Sequence, residues 1–357
     1  SERFLPGLLQ FAHSISAKNR LEQPLTYWNA LGALAALGVV LAARLAGDAS
    51  RSTGLRTAAA AAAAPLGMAL YLTVSRGALF ACAAGLLTLI VAAGRREQVR
   101  GVAVVAGAGV LAAVAAAPFG GVTSLTGTLA ARERDGAIVL VLLVVIMAVA
   151  AIVERVLVAE ETPGPLLLPR FAPPAALAVV VAGFAIAVLL GGDEQTAGAL
   201  TPGAKRYATF TSNRKAYWKV AIRAFAAEPL RGAGAEGWAV RWLRERPFRE
   251  GAHDAHSLYL QTAAELGLVG LALLAAWLAG IALAARDALR HHGSLAAGYV
   301  AGIVVWASHV ALDWDFQMPA ATLPAVILMG GLLAIVPVRP GAGRGPTAPR
   351  RSAAPRG

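Results

Sequence analysis

Apolar runs long enough to cross a bilayer recur along most of this chain, and that repetition decides what it can fold into. A helix needs about 20 apolar residues to span a hydrocarbon core ~30 Å thick. The helices of a soluble protein this size would carry polar faces, and most of these runs have none. Of 357 residues, 57% are hydrophobic and 15% charged, against about 25% charged in a soluble domain. The fold class expected is all-α: a polytopic transmembrane helical bundle of about nine spans, with one large, partly helical extracytoplasmic loop. A soluble enzyme is excluded.

The expected spans are 27–43, 57–74, 78–94, 101–117, 137–153, 171–190, 258–285, 295–312 and 319–336. The weakest is 57–74, because its first half is the alanine run Ala58 to Ala64. Domain organisation follows. Residues 1–26 form an extracytoplasmic N-terminal segment and 27–190 the first six spans. The large extracytoplasmic loop is 191–257, the last three spans lie in 258–336, and 337–357 is a disordered basic cytoplasmic tail. Short-loop basic residues set the orientation. Arg44, Arg51, Arg56, Arg95, Arg96, Arg100, Arg155, Arg170, Arg286 and Arg290, with the tail arginines, fall on one side. Arg3, Lys18, Arg20, Arg76, Arg132 and Arg134 fall on the other. The richer side is cytoplasmic. The chain opens on Ser1, not Met, with no signal peptide, which leaves open a cut or partial N-terminus with earlier spans missing.

A net charge of +12 raises the possibility of nucleic-acid binding. The arginines, however, sit in short runs between apolar spans and form no single basic stripe, so no nucleic-acid partner is expected. The lone cysteine, Cys82, rules out an intrachain disulfide and reads as a small buried hydrophobe. Ala, Gly, Leu and Val dominate the spans, and small residues let transmembrane helices approach closely.

The loop 191–257 is patterned. Asn213 stands where it can cap a helix starting near Arg214. Tyr217, Trp218, Ala221, Ile222 and Phe225 then share a face, as on an amphipathic helix able to lie on a membrane surface. Pro229 and Gly232-Ala233-Gly234 end it, and a second helical stretch follows around Trp238 to Arg246.

Polar residues collect at five places on the non-cytoplasmic side. Arg76, in the tight Ser75-Arg76-Gly77 turn, is either a ligand contact or an arginine snorkelling at a helix end. Arg214 opens the loop helix, where an ordinary solvated role is the competing reading. Glu228 to Gly234 includes Arg231 and offers glycine amides to an anion, or simply ends a helix. His253-Asp254-Ala255-His256-Ser257 precedes a long span. His256 has an unperturbed pKa of ~6.5 and can serve as a base; a polar helix cap is the alternative. A metal site there would need a distant ligand such as His309 or Asp313. Asp313 and Asp315, near His309, can orient His256 or bind sugar hydroxyls, and Trp314 fits an interfacial belt. A cationic, His-bearing pocket of this kind suits transfer from a lipid diphosphate sugar. Positive charge stabilises the departing diphosphate, the acceptor hydroxyl needs a base, and arginine matches phosphate geometry.

At these residues the chain resembles the O-antigen ligase and polymerase family of bacterial membrane glycosyltransferases. The similarity is carried by Gln23-Pro24-Leu25-Thr26-Tyr27-Trp28-Asn29-Ala30-Leu31-Gly32 and by Leu72-Thr73-Val74-Ser75-Arg76-Gly77-Ala78. It continues in Arg214-x-x-x-Trp218, in Glu228-Pro229-Leu230-x-Gly232-x-Gly234, and in His256-Ser257-Leu258-Tyr259-Leu260-Gln261 through Glu265-Leu266-Gly267. Asp313-Trp314-Asp315-Phe316-Gln317-Met318-Pro319 completes it. The resemblance implies a polyprenyl (undecaprenyl-type) diphosphate-linked glycan as donor, a glycan or lipid as acceptor, no cofactor and no metal. It implies residence in the bacterial inner membrane, with the site on the extracytoplasmic face. It makes His256 the catalytic base, Arg76 and Arg214 the diphosphate contacts, and Arg231 a weaker addition; Asp313 and Asp315 are expected to bind substrate from the residue reading alone. The chain departs from the pattern at Ser257, where Asn is common, and in having fewer spans. Ligase and polymerase share this chemistry. A transporter would carry its polar groups near the bilayer midplane, and a metal-dependent hydrolase would use His253, His256 and Asp313.

Overall fold

A computed structural model describes residues 2–9, 11–169, 171–190 and 213–336. The architecture is helical, and the described residues form no strand beyond one isolated bridge between Arg95 and Pro165. In order the helices are α1 Trp28–Ala46, α2 Thr53–Leu72, α3 Arg76–Ala93, α4 Arg96–Ala116, the single turn α5 Gly120–Thr123 and α6 Leu129–Ala159. Then come α7 Ala172–Leu190, α8 Arg214–Ala227, α9 Gly237–Glu245, α10 Leu258–His292, α11 Ser294–His309 and α12 Pro319–Ala334. The basic tail and the loop segment 191–212 lie outside the described residues, as does Arg170.

Among the described residues six helices, α1, α2, α3, α4, α6 and α10, are long and apolar enough to cross a membrane, and the expected count of nine is not reached among them. α11 and α12 have 16 residues each, about 24 Å at 1.5 Å per residue, short of a ~30 Å core. In α7 the described apolar stretch is Ala172–Gly183. The alanine run produces a full helix, α2, because alanine has the highest helix propensity and Ser52 Oγ accepts the Leu55 N–H at its start (3.4 Å). α6 extends past its expected span at both ends and takes in the charged stretch Arg132 to Asp135.

α1 is the central helix and packs against α2, α3, α4 and α11. Small residues make this possible. Ala30, Ala36, Val40, Ala43 and Ala46 of α1 are fully buried, and Cys82 joins the same core as a buried thiol. α2 and α4 touch backbone to backbone: a Cβ on Gly67 would lie 2.3 Å from Gly109 Cα. Gly67→Ala is therefore expected to lower stability by about 1–3 kcal/mol, read as a fall in melting temperature in detergent. Gly107→Ala, with open space around it, should not lower that temperature and, with alanine the better helix former, should raise it slightly.

Several arginines counted as loop charges are buried and paired at one end of the bundle. Arg44 Nη2 binds Asp48 at 2.9 Å, Arg56 Nη2 binds Glu161 at 2.7 Å and Arg100 Nη2 binds Glu154 at 2.9 Å. Arg56 is 3% exposed and Glu154 0%. The Arg56 and Arg100 pairs tie the ends of α2 and α4 to the end of α6, and Gln98 Nε2 and Arg56 Nε donate to the Ala43 and Ala46 carbonyls of α1 (2.8 and 3.0 Å). The helices then alternate, so the starts of α1, α3 and α10 and the end of α11 share the opposite end, where the functional candidates gather.

Candidate active site

Two capped helix starts build this end. At α3, Ser75 Oγ accepts the Ala78 N–H (3.3 Å) and the Ser75 carbonyl takes Leu79 N–H (3.1 Å). The turn before it holds Val74 at φ 51°, a conformation costly for a β-branched residue. At α10, the buried Ser257 accepts the Leu260 N–H through Oγ (3.4 Å). Serine is among the residues that cap helix starts well. Leu258 N–H donates to the Val310 carbonyl (2.8 Å) and Tyr259 Oη to the Ala307 carbonyl (3.1 Å). These bonds fasten the His256 segment to the end of α11.

His256 is held at φ 53°, half-buried, with its ring against Tyr217 (centroids 4.9 Å apart). Its Nδ1 lies 3.0 Å from the Asp254 carbonyl oxygen. A carbonyl can only accept, so Nδ1 carries the proton and Nε2 keeps the lone pair. Burial pushes the imidazole below its ordinary pKa; the Asp313 charge opposes that shift and Arg214 adds to it. His256 is consequently neutral near pH 7, the form a general base requires.

Asp313 is the hub. It is 1% exposed; its Oδ2 binds Arg214 Nη2 at 2.6 Å, and its Oδ1 accepts from Tyr27 Oη (2.5 Å) and the Trp314 N–H (2.9 Å). Asn29 Nδ2 donates in turn to Tyr27 Oη (3.0 Å). Burial alone would raise the Asp313 carboxyl, but Arg214 and the imidazoles His256 and His309 hold it below the usual carboxylate range. Protein groups thus engage both oxygens of Asp313. Asp315, 2% exposed, pairs with His309 Nδ1 at 2.9 Å. Gly77, beside Arg76, faces the His309 ring and Leu312. The start of α3 therefore lies against the same loop that carries Asp313, and Arg76, half-buried, stands at its first position.

Arg231 does not join this cluster. It is exposed and has no hydrogen bond or ion pair among the described residues. Its turn plugs a break in α10 at Gly267 (φ 61°, ψ −153°). Ala233 and Gly234 N–H groups donate to the Ala264 and Glu265 carbonyls (2.9 and 3.0 Å), and Leu268 N–H donates to Pro229. The amides expected to face an anion thus serve the carbonyls freed by the break, which must be bonded somewhere. Gly232 and Gly267 approach too closely for side chains: a Cβ on either would lie within 2.7 Å of the other segment's backbone. Near the middle of the site loop His253 is exposed, and among the described residues no three His, Cys, Asp or Glu side chains group as metal ligands.

The loop helix α8 does not present the expected face to a membrane. Tyr217, Val220, Ala221 and Ala224 are buried against α9 and α10, while Ile222 is 56% exposed. Small alanines let α8 sit close to α10. α9 supplies the bulk, with Trp238 and Trp242 fully buried and stacked at 5.7 Å. Asn213 sits at the N-cap position, but its Nδ2 donates to Glu250 (2.7 Å) and its side chain accepts nothing from the helix.

Tyr27 and Asn29 carry no role in the sequence reading, although both stand in the motif that opens α1. A contact between residues 286 positions apart leaves no local trace. Among curated proteins none matches the chain. The family model described as O-antigen ligase matches residues 60–275, a stretch that takes in Arg76, Arg214, the interlocked α8–α10 turn and His256. With membrane-length helices around a polar end site and this match over more than half its length, the chain is an integral membrane protein that belongs to the O-antigen ligase family.

Proposed function

We propose that this protein transfers a glycan from a polyprenyl (undecaprenyl-type) diphosphate carrier to an acceptor hydroxyl, as a surface-polysaccharide ligase. The observation that carries this reading is His256: a neutral imidazole with Nδ1 tied to a carbonyl and Nε2 left basic, beside the Arg214–Asp313 pair. His256 takes the proton of the acceptor hydroxyl as the oxygen attacks the anomeric carbon. Arg214 and Arg76 neutralise the leaving diphosphate, and Asp313 with Tyr27 keeps Arg214 in place. Attack opposite the leaving group inverts the anomeric centre, and no metal is needed. The site belongs on the extracytoplasmic face of the bacterial inner membrane, supported by the excess of short-loop arginines at the other end.

The pH dependence follows from His256. Its folded pKa is lowered, so the base stays deprotonated below ~6.5. The acid limb of a kcat/KM profile is expected below that value, with activity level from about pH 6.5 to 7.5. An acid limb at or above pH 7 contradicts the assignment. A polymerase shares the chemistry and differs in acceptor. Incubation with lipid-linked repeat units separates the two: a single addition to a non-carrier acceptor marks a ligase, a ladder of repeats a polymerase. Transfer to neither removes the proposal.

A further inference from the structure

His309 has no part in the mechanism above, yet its environment is unusual. It is 1% exposed, its Nδ1 is paired with the equally buried Asp315 (2.9 Å), and its Nε2 is buried with no hydrogen-bond partner. A carboxylate shut away from water needs a compensating charge, and His309 is the side chain bonded to Asp315. The pair is therefore an ion pair, which makes Nε2 a buried N–H donor. Leaving such a donor unmet costs about 1–3 kcal/mol.

The Nε2–Cδ2 edge of the ring faces the start of α3. A Cβ built on Gly77 would stand 3.7 Å from His309 Nε2, 3.7 Å from its Cδ2 and 3.7 Å from Leu312 Cδ1. Glycine thus leaves a methyl-sized gap between the imidazole and the first turn of an 18-residue helix. First-turn amides such as that of Gly77 have no intrahelical carbonyl to bond, and the positive end of the helix dipole favours an anion there. Arg76 adds a guanidinium one residue away.

We propose that His309 is a diphosphate-binding residue. Its Nε2–H, the Gly77 amide and Arg76 together receive a phosphate oxygen of the carrier lipid, which enters as the Leu312 side chain moves aside. This rests on the glycan-transfer reading and extends it: the departing diphosphate is held from the α3 and α11 side as well as by Arg214. Asp315 is then a positioning residue for His309 and not a sugar ligand.

Gly77→Ala tests this without disturbing the fold. The added methyl meets only ordinary van der Waals neighbours and sits over Nε2. With the full chain in detergent, affinities for inorganic pyrophosphate and for farnesyl diphosphate are measured for wild type, Gly77→Ala, His309→Gln and, as a control away from the site, Gly107→Ala. Wild type and Gly107→Ala should bind both probes alike, farnesyl diphosphate more tightly. Gly77→Ala, with an unchanged melting temperature, should bind each about tenfold or more weakly, and His309→Gln the same. If His309→Gln does not fold, Gly77→Ala decides. Wild-type affinity in Gly77→Ala, or no diphosphate binding by wild type, overturns the proposal; binding of pyrophosphate alone overturns its lipid assignment. Glycan transfer that persists without His309-dependent binding defeats this inference only, whereas such binding in a wild type that transfers no glycan defeats the functional reading only.

Discussion

His256→Ala is expected to lower glycan transfer by about 10²- to 10⁴-fold, the usual contribution of a positioned base, with helix content and melting temperature close to wild type. The side chain is half-buried and makes one hydrogen bond, to the Asp254 carbonyl, so its loss removes little packing. The backbone at position 256 is left-handed, so alanine carries some strain there, and His256→Asn tolerates that conformation better. Both variants should insert normally and fail at turnover. Activity within a few-fold of wild type in both would remove His256 from the chemistry.

Asp313→Ala should damage both fold and activity. Asp313 joins Tyr27 of the α1 start, Arg214 of α8 and the loop after α11. Removing it leaves Arg214 without its carboxylate partner in a largely enclosed site. Breaking a buried ion pair costs about 3–5 kcal/mol. Arg214 is 22% exposed, and partial access to water places the expected loss near the low end of that range. The pH dependence has a definite sign. The Asp313 pKa is depressed in the folded protein, so its stabilisation is complete above the unfolded value of ~3.9 and is lost as pH falls through the lower folded value. The wild type should therefore lose stability on acidification through this window, and Asp313→Asn should lose less. Equal acid sensitivity in the two proteins, measured by thermal unfolding from pH 6 to pH 3, would show that Asp313 does not carry this term.

The sequence made the helices legible because apolar runs and small residues are local signals. Arg76, Arg214 and His256 each stand at a helix start; in the sequence their residues alone left an ordinary role open, and the family resemblance is what singled them out. Other features depended on distance in space. The Tyr27–Asp313 bond and the His309–Asp315 pair join elements whose approach no periodicity announces. Arg231 looked chemical because its glycines resemble an anion cradle, yet those glycines and their amides answer to a break in α10 that lies 35 residues further on. The rotation of α8 was missed for a related reason. Hydropathy points to its largest apolar residues, whereas close packing on α10 selects its alanines. The short α11 and α12 show that an apolar run of adequate sequence length can turn into a tight loop early, here to carry Asp313 and Asp315.

The account depends on a bond being broken and another made at this site. The direct measurement places purified protein in liposomes with a polyprenyl diphosphate-linked oligosaccharide labelled in the sugar, together with an unlabelled glycan or lipid acceptor. The expected result is label joined covalently to acceptor, one polyprenyl diphosphate released per transfer, and neither product with His256→Ala. Label that crosses the bilayer still attached to its carrier, or that appears as free sugar without glycosylated acceptor, would contradict it.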